Sequence, residues 1–231
     1  MTPYGYSNYQ KNEFENGTFY NSSHENDIEL KSHLDYSSEP QSAGFNVSGI
    51  IQRVSGVLAQ QDCAEFAQTV LNAISSRRNP ALGSLAGVFK AFVAQGDDHD
   101  LFSRKAPPGS WGYASPTGSI AGGDAAIYAQ DLKTTPEVQL GYDADSTIAE
   151  LFHLAGRNKS YTDEQLAKAV HASNYATEAD SVIDPTTNIF DNRYNARGWK
   201  NHQAYSVYFH YIQMLHCTAV PQPPGHPRRI G

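Results

Sequence analysis

Basic charge is scarce in this chain: its 231 residues hold 17 lysines and arginines against 24 acidic residues, a formal charge of −7 with histidine neutral. No dense basic block occurs, which argues against nucleic acid and anionic membrane surfaces as partners. No apolar run reaches the roughly 18 residues that a spanning helix requires. The first residues, "MTPYGYSNYQKNEFENG", lack the charged-then-apolar layout of a Sec-type signal peptide, so a Sec address is not expected. Cysteine is nearly missing. Cys63 and Cys217 stand alone, without a CxxC or a cysteine–histidine cluster, and so form no metal site by themselves. Two buried thiols and one long-range disulfide are both open readings, the second suited to an exported protein.

What is present divides into three stretches. Residues 1–45 are rich in Tyr, Asn, Ser and Glu with almost no aliphatic periodicity, and are expected to be poorly ordered or to wrap over the rest as a propeptide, strap or translocation signal. Residues 46–220 carry the folded domain, and the proline-rich 221–231 form a tail. Inside the domain, Ile50, Ile51, Val54, Val57 and Leu58 make one helical stripe. Asp62 is placed as the N-cap of a second helix with the stripe Phe66, Val70, Leu71 and Ile74. "SLAGVFKAFVAQG" supplies a third helix. The stretch "DDHDLFSRKAPPGSWGY" is read as a loop whose Asp97, Asp98, His99 and Asp100 are a solvated surface turn rather than a cation site. A strand is predicted at 125–132, then a helix capped by Asp143 or Asp145. A further helix opens with the Thr162 capping box, and a long last one surrounds "WKNHQAYSVYFHYIQMLHC". His202, His210 and His216 in that last helix are expected among core or surface residues rather than as ligands.

The chemistry concentrates in "STIAELFHLAG", residues 146–156. The zinc pattern H-E-x-x-H works because positions i and i+4 lie one above the other on a helix, so that two imidazoles converge on one ion while the intervening glutamate faces the attacking water. Here Glu150 and His153 hold their places and Ala149 stands where the first histidine belongs. The plain alternative is an amphipathic helix in which His153 bonds to a neighbour and Glu150 faces solvent.

The flanks extend the pattern. Leu154, Ala155 and Gly156 follow His153, and Tyr161, Thr162, Asp163, Gln165, Leu166 and Ala167 form a second block. Over residues 146–171 the chain resembles a bacterial family of zincin-like metallopeptidases of the form "HELxHLAG…Y[ST]DxxLA", often found at the C-terminal ends of secreted or polymorphic-toxin proteins. The resemblance implies an α+β, helix-dominated zincin-like domain with a small sheet next to the motif helix, its strand at 125–132 bordering the cleft. It implies a zinc-dependent endopeptidase acting on a protein or peptide substrate, exported as an effector or toxin and met by an immunity protein or host target.

Zinc would be held by a histidine at position 149, His153 and Asp163, with Glu164 and His171 in reserve, and Glu150 would serve as general base. Tyr161 is a candidate oxyanion stabiliser. Lys159 occupies the last ligand position of the longer H-E-x-x-H-x-x-G-x-x-H pattern and excludes it. With Ala149, zinc is expected to bind weakly or not at all, and the chain to be inactive. An engineered His-to-Ala change accounts for one clean loss in an intact frame better than a natural pseudoenzyme does. The rival from another class is a non-catalytic module that grips a protein partner in the same cleft. A metal-independent hydrolase finds no support, since no G-x-S-x-G elbow occurs.

Overall fold

The computed structural model describes residues 46–94, 102–103, 112–114, 120, 127–129, 135–175 and 202–219. The N-terminal segment, the acidic turn at 97–100 and the proline-rich tail, all assigned from sequence, lie outside the described residues. Among the described residues, six helices and three short strands follow in order: α1 Val47–Leu58, α2 Gln61–Ile74, α3 Leu85–Val93, β1 Phe102–Ser103, β2 Gly112–Ala114, β3 Ile127–Ala129, α4 Pro136–Leu154, α5 Asp163–His171 and α6 His202–His216. The described protein is helix-dominated, as its periodicity predicts. No described helix is long and apolar enough to cross a membrane.

The core forms where the apolar stripes of the helices meet. Ile50, Val54, Phe66, Val70, Leu71, Phe92, Ile148, Leu151, Phe152, Leu166, Phe209 and Ile212 are all fully buried. Phe152 on α4 lies at its centre, edge-on to Phe66 at 5.9 Å and to Phe209 at 5.1 Å between ring centroids, a geometry aromatic quadrupoles favour. Because Phe209 is anchored there, its chain neighbour His210 is carried to the same region of α4.

Several boundaries differ from the sequence reading, for physical reasons that can be named. α4 begins at Pro136, not near Asp143: Thr135 caps it through Val138 N, and the proline occupies the first turn, where no donor is lost. Asp143 and Asp145 are interior residues whose carboxylates find tertiary uses. Asp143 accepts from Gln139 Nε2 at 2.8 Å. Asp145 accepts from Thr218 Oγ1 at 2.8 Å and from the backbone N–H of Ala219. Asp62 does not cap α2; the residue before the helix is Gln60, and Asp62 in the first turn instead meets His216 Nδ1 at 2.8 Å.

Of the strand predicted at 125–132, the described residues 127–129 are β3, the central strand of the sheet: β1 pairs with it in parallel and β2 antiparallel. β1 and β2 fall in the stretch read as a loop. β2 is the strand against α4: a Cβ on Gly112 would lie 2.9 Å from Glu150 Oε1 and 3.2 Å from Ser146 Cβ. Glycine at 112 is therefore what lets the strand pass over the motif glutamate.

Cys63 and Cys217 are joined in a disulfide across 154 positions of sequence. The bridge ties the end of α6 to α2, and three further contacts hold the same end. His216 stacks on Phe66 at 5.1 Å, Arg53 Nη1 of α1 donates to Ala219 O at 3.0 Å, and Asp145 of α4 takes the donors of Thr218 and Ala219.

Candidate metal centre

His153 is fixed by backbone groups before any metal is considered. Its Nδ1 lies 2.8 Å from Tyr161 O, so Nδ1 carries a proton and donates to that carbonyl, leaving Nε2 to face Asp163. Tyr161 N in turn donates to His153 O at 2.9 Å. The segment that makes this clasp is clamped to the α2–α3 connection. Leu82 N donates to Ala155 O and Arg157 N to Pro80 O, both at 2.9 Å. Asn79 Oδ1 accepts from Asn158 N, its Nδ2 donates to Lys159 O, and its carbonyl accepts from Tyr161 Oη, at 2.8, 2.8 and 3.0 Å. Gly156 is required by close approach, because a Cβ there would fall 2.2 Å from Lys159 O. The "HLAG" and "YTD" blocks are thus the two sides of one clasp around His153. Tyr161 is not an oxyanion donor, since its hydroxyl is spent on Asn79 O and its backbone on His153.

The clasp runs directly into α5, whose capping box of Thr162 and Gln165 is formed in both directions. That start places Asp163 in the first turn, with Oδ1 3.3 Å from His153 Nε2. Glu150, one turn earlier on α4, is buried, not solvent-facing. Burial lifts its carboxyl from an ordinary 4.5 to about 7; His153 and a backbone bond from Ala114 on β2 pull it down, and Asp163 adds to the rise. Burial alone would lower His153, but the Asp163 carboxylate, Glu150 and the Tyr161 carbonyl outweigh it and raise the ring to about 9. Ala149 lies on the same helix face one turn before His153 and is buried at 3 % exposure.

The structure brings a third donor that the sequence reading assigned elsewhere. His153, Asp163 and His210 each offer one ligand atom, all within 4.8 Å of one another, the cluster of this kind found among the described residues. His210 Nε2 is buried and has no hydrogen-bond partner, and burial drives its ring down to about 4, so it is neutral at physiological pH. The reserves do not take part: Glu164 is exposed and pairs with Lys168 on the surface of α5, and the His171 ring meets Tyr208 with centroids 6.4 Å apart. His216 is used against Asp62 and Phe66. Sequence could not single out His210, because its nearness to residue 153 depends on Phe209 packing and on the far-end disulfide, neither of which leaves a local pattern.

Donor chemistry fits a zinc-class ion. Donor atoms around one tetrahedral zinc lie roughly 3.3 Å apart, the spacing already present between His153 Nε2 and Asp163 Oδ1. Two imidazoles and one carboxylate, with His153 giving up its second ring proton on binding, suit zinc better than calcium or magnesium, which prefer all-oxygen shells. Comparison with protein-family models, curated proteins and solved structures finds no match, so the functional reading rests on the geometry of this site and on the residues of the motif.

Proposed function

We propose that this is a zinc-dependent endopeptidase domain of zincin type, inactive as it stands because Ala149 fills the first ligand position. One observation carries the reading: a buried Glu150 with a near-neutral pKa stands one turn from an oriented His153 whose other ring nitrogen pairs with Asp163. An ordinary core helix has no reason to bury a carboxylate, an imidazole and a second carboxylate together, since each pays a desolvation cost. In the active form a histidine at 149 would join His153 and Asp163, with His210 nearby. A bound zinc would polarise a peptide carbonyl and lower the pKa of water at the site.

The chain's own groups supply the rest. Glu150, near neutrality, accepts a proton from the attacking water and delivers it to the leaving amine. The Ala114 backbone bond orients that carboxylate, and Gly112 leaves room for it. β2 is an edge of the described sheet and would pair with an extended substrate, giving the small sheet its place beside the cleft. Export as a bacterial effector or toxin, with an immunity protein or host protein as partner, belongs to the same proposal through the resemblance of residues 146–171. So does the view that position 149 held histidine before an engineered change.

The test is Ala149→His loaded with zinc and assayed on unfolded protein substrates. Peptide cleavage is expected to appear and to fall by about 100-fold or more on adding Glu150→Gln, the usual scale of a lost general base. A folded Ala149→His protein that binds zinc and cleaves nothing, with or without His210→Phe to open the metal's fourth position, would overturn the peptidase reading.

A further inference from the structure

We propose that His210 is a metal ligand in this chain, and that His153, Asp163 and His210 together bind one zinc-class cation without any contribution from position 149. The inference rests on the metal-centre reading above but not on peptidase activity. It also departs from the expectation that, with Ala149, zinc binds weakly or not at all.

Three observations converge on it. The ligand atoms of the three residues already lie within 4.8 Å of one another, and the His153–Asp163 pair is at the separation two donors adopt on one ion. His210 Nε2 is buried without a hydrogen-bond partner, a rare and costly arrangement that a bound cation would relieve. His153 has its other ring nitrogen fixed by the Tyr161 carbonyl, the outer support that metal-bound imidazoles typically receive.

The donors also come from three separately anchored elements. His153 sits at the end of α4, Asp163 in the first turn of α5 behind its capping box, and His210 on α6. α6 is held by Phe209 against Phe152 on one side of His210 and by the Cys63–Cys217 bridge beyond it. Such anchoring leaves little freedom to lose on binding, which favours affinity. Two imidazoles and one carboxylate form the donor set of many three-ligand zinc sites. A fourth protein ligand, the imidazole of an Ala149→His variant, would close the shell if His210 stayed bound.

The experiment uses the oxidised full chain with zinc chloride, and with cobalt(II) as a spectroscopic substitute. Calorimetry and metal analysis after dialysis are expected to give one ion per chain. X-ray absorption of the zinc form is expected to count two imidazoles. His210→Phe, an apolar replacement suited to a buried site, should weaken binding by about 100-fold or more and leave one imidazole. His171→Gln, outside the cluster, should bind like the parent.

A His210→Phe protein that binds as tightly as the parent overturns the proposal. So does a single imidazole in the unsubstituted chain, a count that needs no variant to fold. It is also overturned if the chain takes up no zinc while Ala149→His does, a result that would leave the peptidase reading intact. Conversely, His210-dependent zinc binding with no cleavage either by Ala149→His or by Ala149→His combined with His210→Phe would sustain this inference and remove the other.

Discussion

The two halves of the site are held in different ways. His153 and Asp163 are ten positions apart in sequence, joined by a short clasp whose backbone bonds to Asn79, Pro80 and Leu82 fix each turn of the chain. His210 comes from the far end of the domain, and its position depends on a packed phenylalanine and on a covalent bridge seven residues further on, just past the end of α6. The difference teaches that a motif can orient its side chains locally while leaving the completion of the cluster to tertiary structure.

Removing the bridge tests the distant half most severely. Cys63→Ser with Cys217→Ser opens a loop of 154 positions, and by chain entropy should cost about 4–5 kcal/mol. For a domain of this size that corresponds to a fall in melting temperature on the order of 10 °C. Zinc affinity should fall with it, because α6 loses its tie. Urea unfolding and calorimetry on the oxidised and double-serine proteins check both; an unchanged zinc affinity would mean that Phe209 packing alone positions His210.

Asn79→Ala strikes the local half. It deletes the acceptor for Asn158 N and the donor to Lys159 O inside a part-buried clamp, with an expected loss of about 2–3 kcal/mol. The histidine-ring NMR signal of His153 should shift, since the Tyr161 carbonyl that holds Nδ1 is part of the same segment. A melt within a degree of the parent would show that the clasp holds without its asparagine.

Glu150 lies between the halves and gives the smallest effect, of opposite sign. Its folded-state pKa of about 7 is above the ordinary 4.5, so the ionised group costs stability as pH rises through that window, and the cost is complete above it. Glu150→Gln should therefore stabilise the metal-free protein at pH 8 by about 1–2 kcal/mol, the gain fading below pH 5. Equal melting temperatures of the two proteins at pH 8 would place Glu150 in a wetter setting.

Much of the local half was legible beforehand. The spacing of Glu150 and His153, the capping box at Thr162 and the reach of Asp163 follow from helix geometry and short-range capping rules, which act within a few residues. The start of α4 was misplaced because Asp143 and Asp145 look like caps when their tertiary partners are unknown. β1 and β2 were missed because two- and three-residue strands carry too little alternation to register, and Gly112 owes its presence to a side chain on another element. The state of the cysteines and the role of His210 depend on the same long-range closure, which spacing along the chain cannot express.

That closure also changes the topology of the chain. Every residue of the metal cluster lies inside the ring made by Cys63 and Cys217. A single backbone cut anywhere within that ring leaves two pieces that remain one molecule, with His210 on α6 still covalently linked to α2. For a domain proposed to cut peptide bonds, a nick between the residues of that cluster leaves the two pieces covalently joined as long as the sulfur bridge stays oxidised.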